Sequence, residues 1–126
     1  QLCVWQGKTY RENTMEKVGI IKLTQRMLNK SIIDANKSIV AFAKEYLPVD
    51  YDHIENGAKV AFQAIFDDDT PSQLRLYRRP RGDRLMSIQG ITKKGAVGDT
   101  VTIVHESGYI AGKNYYVRIN ITKAAA

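Results

Sequence analysis

The stretch Leu74-Arg75-Leu76-Tyr77-Arg78-Arg79-Pro80-Arg81-Gly82-Asp83-Arg84 decides the fold class and directs the search for a function. It begins as an alternating strand, passes through a Pro/Gly turn and continues as a second strand, Leu85-Met86-Ser87-Ile88, so it predicts a β-hairpin. Five of the chain's eight arginines lie in this stretch. Guanidinium groups at that density repel one another unless an anion lies across them, and a phosphate backbone is the commonest such anion. A solvated, arginine-rich turn is the alternative.

The positive charge of the chain is concentrated around this hairpin. The net charge of the 126 residues is +6, and residues 71–98 contain seven basic residues and one acidic residue, Asp83. The rest of the chain is therefore close to neutral. A basic face on a neutral body is typical of a nucleic-acid-binding protein.

Composition and length predict one soluble globular domain. No apolar run approaches the roughly 20 residues of a membrane span, so no membrane partner is expected. Cys3 is the only cysteine, which excludes an internal disulfide and favours a reducing, cytoplasmic location. We expect an N-terminal arm or edge strand over residues 1–17, pinned to the body by Trp5, and a domain over residues 18–123. The final residues, 124–126, are interpreted as a cloning remnant.

Period-two runs outnumber helical ones. Strands are expected over residues 18–24, 31–35, 59–66, 73–79, 85–88, 100–104 and 115–121, with residues 51–54 as a further candidate. In the arginine hairpin, Leu74 and Leu76 should face inward and Arg75 and Tyr77 outward. One helix of about ten residues is expected between a cap at Asn36 or Ser38 and Pro48. Residues 24–31 form a polar, hairpin-like excursion, and residues 91–97 a loop with room for one helical turn. The sum predicts a mainly β fold: a seven-stranded, open antiparallel pseudobarrel with one main helix.

The order of these elements resembles the B3-type DNA-binding pseudobarrel of plant transcription factors. It resembles more closely the specificity and effector domains of EcoRII-type and BfiI-type restriction endonucleases. The matching pieces are Ile21-Lys22-Leu23-Thr24, the segment 31–48, Arg81-Gly82-Asp83-Arg84 with Ile88, and Gly98-Asp99-Thr100-Val101-Thr102-Ile103. They span residues 18–121, and their specificity lies in order and spacing. The resemblance implies double-stranded DNA as the partner, with a nuclease domain elsewhere in the parent protein.

In that family two arms enter the major groove, and the resemblance carries them onto two segments here. The N-arm comprises Lys22, Thr24, Gln25, Arg26, Asn29, Lys30 and Ser31. The C-arm comprises Arg75, Tyr77, Arg78, Arg79, Arg81, Asp83 and Arg84, and Lys93 with Lys94 forms a phosphate clamp. Base contacts are expected from Arg26, Asn29, Arg79, Arg81 and Arg84, because Arg can bind guanine bidentately and Asn can bind adenine. Phosphate contacts are expected from Lys22, Lys30, Arg78, Lys93 and Lys94.

No catalytic site, metal site or cofactor is predicted for this chain. Asp67-Asp68-Asp69 precedes Thr70-Pro71 and is interpreted as a hairpin turn, not as a metal loop. His53 and His105 lack partners at zinc-ligand spacing. Arg81-Gly82-Asp83 matches the tripeptide read by integrins, which is interpreted as coincidence. Tyr115 and Tyr116 should face opposite sides of a strand, one in the core and one on the surface.

The sequence thus predicts sequence-specific binding of double-stranded DNA by a chain that is not itself an enzyme. Two other classes stay open. An OB-like barrel for single-stranded nucleic acid or RNA would rely on exposed aromatic residues such as Tyr77. A protein-interaction module would dock an acidic partner on the basic face.

Overall fold

The computed structural model describes residues 18–125, which form a mainly β domain: six strands in one curled, half-barrel sheet, with three short helices. The strands are β1 (Val18–Lys22), β2 (Lys59–Phe66), β3 (Pro71–Arg78), β4 (Arg84–Ile88), β5 (Thr100–Ile110) and β6 (Lys113–Thr122). The helices are α1 (Gln25–Lys30), α2 (Lys37–Tyr46) and α3 (Ile91–Lys94). The predicted arm over residues 1–17, with Cys3 and Trp5, and the terminal Ala126 lie outside the described residues.

The sheet is mixed, in the order β1-β5-β6-β2-β3-β4. β2 and β6 run parallel where residues 64–66 lie beside residues 117–119, and the other neighbouring strands are antiparallel. The prediction of seven antiparallel strands is therefore wrong in both number and direction. β6 joins β2 as a long-range neighbour, a pairing that local alternation does not specify. The mainly β class is confirmed.

The expected strand over residues 31–35 is reduced to a single bridge, in which the Ile33 N–H donates to the carbonyl oxygen of Met86 at 2.9 Å. Ser31 ends α1 and Asn36 already caps α2, so too little chain lies between the two helices for a longer ladder. The bridge matters for the architecture. Because residues 23–33 run from the edge strand β1 to the edge strand β4, they hold the sheet in its curl and place α1 at the C-terminal end of β4.

Residues 24–31 form a helix where a polar excursion was expected. Thr24 caps α1 by accepting a hydrogen bond from the Met27 N–H at 3.3 Å, and Met27 is buried. Ser31 ends the helix in the left-handed conformation, with φ of 55°. A threonine cap followed three residues later by an apolar residue is a helix-start signal. The polar residues around Met27 obscured it.

The prediction of one main helix is confirmed by α2, whose ten residues are capped by Asn36; its Oδ1 accepts from the Ile39 N–H at 2.8 Å. Ser38, the alternative cap, instead accepts a hydrogen bond from the Ile20 N–H. α3 supplies the helical turn expected within residues 91–97. The candidate strand over residues 51–54 is a turn, in which Tyr51 and Ile54 are buried.

The last two strands are longer than predicted, because a tight turn at Ala111-Gly112 joins them as a hairpin. Both turn residues have positive φ, 51° and 81°, which matches the handed twist that two-residue hairpins require. Tyr115 and Tyr116 lie on this hairpin. Tyr115 is half-buried and donates its hydroxyl to Glu106 at 3.1 Å, while Tyr116 is exposed. The prediction that one of them lies in the core is therefore wrong.

The core fills the concave side of the sheet. Leu74 and Leu76 from β3 are fully buried and Arg75 is exposed, so the predicted alternation of this strand is confirmed; Tyr77 is half-buried. α2 contributes Ile39 and Phe42. Ala124 takes part in the fold through its backbone N–H, which donates to Asp99 Oδ1 at 2.9 Å. Within residues 18–125, no helix combines the length and the apolar character that a membrane crossing requires.

Candidate nucleic-acid interface

The turn between β3 and β4 is ordered by its own backbone. The Arg79 N–H donates to the carbonyl oxygen of Asp83 at 2.8 Å, and the Gly82 N–H donates to that of Arg79 at 2.8 Å. Gly82 has φ of 102°, a conformation that residues with a Cβ rarely adopt. The expectation that Gly82 permits the tight turn is confirmed.

Two arginines of the turn anchor it to the neighbouring loop. Arg78 donates to the carbonyl oxygen of Ile54 at 2.7 Å and to that of Gly82 at 3.0 Å. Arg84 donates to the carbonyl oxygens of Tyr51 and Asp52, both at 3.0 Å, and its guanidinium lies over the Tyr51 ring. Carbonyl acceptors fix these side chains without neutralising their charge. Arg78 and Arg84 therefore contribute positive potential from fixed positions.

Asp83 contacts the two other arginines of the turn. It pairs with Arg79, and it accepts a hydrogen bond from Arg81 Nε at 3.2 Å. The Arg79 side chain is 35% exposed and the Arg81 side chain 73% exposed. Within the described part of the chain, Arg79 Nε is buried without a hydrogen-bond partner. Arg81 is thus the arginine that the turn presents to solvent.

The pairing of Asp83 predicts a pH-dependent contribution to stability. The hydrogen bond from Arg79, and then that from Arg81, lower the pKa of Asp83 from 3.8 to about 2. The stabilisation is therefore complete above the unfolded-state pKa and is lost as pH falls through the folded-state pKa. We expect wild type to exceed Asp83→Asn in Tm at pH 6, with the difference shrinking between about pH 4 and pH 2. A difference that is the same at pH 6 and pH 2, by calorimetry, would contradict the pairing.

The convex face of β2, β3 and β4 is basic and contains no acid. Lys59 lies opposite Tyr77, with its Nζ 5.1 Å from the ring centroid, and Arg75 lies between Ala61 and Ser87 in the strand register. Arg75 is exposed, and its Nε donates to Gln73 Oε1 at 3.1 Å. None of the outward positions of these three described strands is Asp or Glu. We call this surface the β2–β4 face.

The predicted N-arm residues lie on or beside α1, and several of their side chains are engaged within the domain. Gln25 donates to Asn29 Oδ1 at 2.9 Å, and Arg26 pairs with Asp34 at 2.5 Å. Lys30 and Ser31, at the end of the helix, are exposed. Lys22 is exposed on β1, at the other edge of the sheet from β4.

The two residues of the predicted phosphate clamp, Lys93 and Lys94, have different surroundings in the structure. Lys94 pairs with Asp68, donates to Thr70 Oγ1 at 3.2 Å and lies near the Phe66 ring. The hydrogen bond from Lys94 is also the main reason why the pKa of Asp68 falls well below its usual range. Lys93 is exposed. Lys94 therefore ties α3 to the β2–β3 turn, and Lys93 alone of the pair faces solvent without a described ion pair.

Four residues on or beside the β2–β4 face were not predicted from the sequence as site residues: Lys59, Gln73, Ser87 and Thr92. Alternation along β2 and β4 contains the signal for Lys59 and Ser87, since outward positions follow from the period of two. The outward position of Gln73 follows from the same alternation along β3, whereas Thr92 gains its position from long-range packing that the sequence does not display.

Two acidic residues of the turn after β2 make contacts with β6. Among residues 18–125, no three His, Cys, Asp or Glu side chains come together as a potential metal site. Asp69, in the acidic turn, pairs with Arg118 at 3.2 Å, and Asp67 accepts from the Ile121 N–H at 3.0 Å. The predicted turn over residues 67–71 thus serves as a link between β2 and β6.

No protein-family model matches the chain. No curated protein matches it in sequence.

Proposed function

We propose that residues 18–123 bind double-stranded DNA with sequence preference, in the manner of a B3-like pseudobarrel. Two polar segments would act as arms: α1 with Ser31, and the arginine turn led by Arg81. The β2–β4 face would form the floor between them. The parent protein would then carry its nuclease activity, if it is a restriction endonuclease, in another domain.

The observation that supports this proposal most directly is the placement of the two arms on β4. The arginine turn precedes Arg84 at one end of this strand, and the register of the Ile33–Met86 bridge sets Ser31 beside Ile88 at the other end. At about 3.3 Å per residue, the strand ends stand roughly 13 Å apart, which is close to the ~12 Å width of the major groove. Two arms at this separation suit the two sides of one groove.

The electrostatics of the same surface favour a polyanion. Arg75 and Lys59 lie on the β2–β4 face without a carboxylate beside them, and Arg81 and Lys30 lie at its two ends. Two of the bordering acids, Asp34 and Asp83, each pair with an arginine, so their charge is already compensated. A phosphate backbone supplies anions over this whole length.

A binding panel tests the function class. Purified protein is titrated by fluorescence anisotropy against a random-sequence DNA duplex, a single strand of the same length and an RNA strand, at two salt concentrations. We expect duplex binding at least about tenfold tighter than either single strand, because the arms are spaced for a groove. Equal or tighter binding of single strands would support the OB-like alternative. Binding of poly-glutamate but of no nucleic acid would support the protein-interaction module. Selection from randomised duplexes would then define the preferred site.

A further inference from the structure

Arg75 is held in place by neutral side chains alone. Gln63 Oε1 accepts a hydrogen bond from Gln73 Nε2 at 3.0 Å, and Gln73 Oε1 accepts one from Arg75 Nε at 3.1 Å. Gln63 and Gln73 are direct partners in the β2–β3 register. The two terminal amino groups of Arg75 have no hydrogen-bond or ion-pair partner among residues 18–125. The guanidinium is thus oriented through one nitrogen, with its full charge and its two remaining nitrogens available to a ligand.

The surroundings of Arg75 supply further donors to the same ligand. A shallow pocket beside this side chain is lined by Arg75 and by three hydroxyl-bearing residues, Ser31, Ser87 and Thr92, and the rest of its lining is Ile88, Gln89, Gly90 and Ile91. Ser31 comes from the end of α1, Ser87 from β4 and Thr92 from α3, so three separate elements converge here. Neither Asp nor Glu lines the pocket. Ser87 and Ala61, the small neighbours of Arg75 in the register, leave the guanidinium open to solvent.

This set of groups selects a class of ligand. A guanidinium presents paired N–H donors that match two oxygens of a phosphate, and hydroxyl groups can donate to its remaining oxygens. An apolar ligand would leave these donors unpaired, which is costly. A tetrahedral oxyanion offers acceptors in several directions, which suits donors drawn from three different elements beside the arginine.

We propose that Arg75, Ser31, Ser87 and Thr92 form a phosphate-binding site, with Gln73 and Gln63 as positioning residues for the guanidinium. The ligand is a phosphate oxyanion. In a duplex complex, this site binds one backbone phosphate beside α1, and that contact fixes the position of the two arms along the DNA. This use of the site rests on the function proposed above. Such contacts position a protein on DNA without reading its sequence.

The first experiment needs no DNA. Inorganic phosphate is titrated into the ¹⁵N-labelled protein at low ionic strength, and the backbone amide signals of Ser31, Ser87 and Thr92 are followed by NMR. We expect saturable shifts at these three residues. Arg75→Met should weaken phosphate binding by at least roughly tenfold, because a charge-assisted hydrogen-bonding partner is lost. Lys37→Met, which removes the same charge from an exposed lysine on α2, should leave the affinity within about twofold.

A second variant tests the positioning role. Gln73→Leu keeps the charge of Arg75 but removes the acceptor of its Nε–H, so the Arg75 Nε–H signal should shift and phosphate affinity should fall by about threefold to tenfold. Circular dichroism verifies the fold of each variant. The site is overturned if phosphate causes no saturable shift, or if Arg75→Met and Lys37→Met weaken binding equally. The positioning role is overturned if Gln73→Leu binds phosphate as wild type does.

The two proposals fail in different ways. Saturable phosphate binding without duplex binding would overturn the proposed function and keep the phosphate site. Duplex binding that Arg75→Met leaves unchanged, together with no phosphate shifts, would keep the function and overturn the site.

Discussion

Replacing Phe42 by alanine is expected to lower the free energy of unfolding by about 3–5 kcal/mol, the cost of deleting a buried aromatic ring and leaving a cavity. The ring is 1% exposed and belongs to the face of α2 that packs against β1. A Cβ on Gly19 of β1 would lie 3.1 Å from the Phe42 Cβ, so helix and strand approach closely at this point. The neighbouring residues therefore have little room to move into the cavity that removal of the ring would leave.

Urea unfolding followed by circular dichroism measures this change. Lys44→Ala provides the control on the same helix: Lys44 is exposed, its ion pair with Asp52 is long at 3.4 Å, and we expect an effect within about 0.5 kcal/mol. A loss below about 1 kcal/mol for Phe42→Ala would mean that α2 does not pack on the sheet as described.

The double variant Arg75→Glu with Arg81→Glu is expected to weaken duplex binding by at least about a hundredfold. Each arginine forms charge-assisted hydrogen bonds worth about 1.5–3 kcal/mol, and each introduced glutamate adds repulsion from the DNA phosphates. Arg81 lies in one proposed arm and Arg75 on the floor between the arms. Both side chains are exposed, so the fold should tolerate the change.

The matched control is Lys37→Glu with Lys44→Glu, which changes the net charge by the same amount on α2. This helix packs against β1, which is at the opposite edge of the sheet from β4. Because Lys37 is in the first turn of α2, a glutamate there is also favourable to the helix dipole. We expect at most about a tenfold loss from this pair, through the general field of the protein. Equal losses from the two double variants would argue against a defined face.

Much of the fold could be predicted from local sequence patterns. The alternation of β3, the Asn36 cap of α2 and the glycine of the arginine turn each follow from one residue's preference or from a short period, and the structure has them where the sequence placed them. The parallel contact between β2 and β6 depends on residues more than 50 positions apart, such as Ala64 and Val117, and has no local signature. α1 is intermediate in how well the sequence predicts it. Its N-terminal cap, Thr24, can be recognised in the sequence, but its apolar face consists only of Met27 and its neighbour Leu28.

The candidate site was predictable as a region but not as a set of contacts. Arg78 and Arg84 look like free cations in the sequence, and the structure engages both with carbonyl oxygens of residues 51–54. Their contact with DNA stays a prediction, as does that of Arg79, which pairs with Asp83. Arg75 lies in the middle of a strand, where sequence gives only its outward direction. The contact of Gln73 with Gln63 and the hydroxyl-bearing neighbours of Arg75 appear only when the strands are paired.

Ion pairs within the protein lower the number of DNA phosphates that the β2–β4 face and its two arms can neutralise. Contact with six to eight phosphates would give a slope of about −5 to −7 for log affinity against log salt. With Lys94 and Arg79 paired to carboxylates, four to six is the better expectation. The corresponding slope is about −4 to −5.

The salt dependence of duplex affinity is the most direct test of the central claim that the β2–β4 face and its two arms hold a DNA backbone. Anisotropy titrations of one duplex, from about 50 to 300 mM salt, should give a slope of about −4 to −5 for wild type. The Arg75→Met variant should lower its magnitude by about one. A flat dependence, or no measurable duplex binding at the lowest salt, would contradict the account.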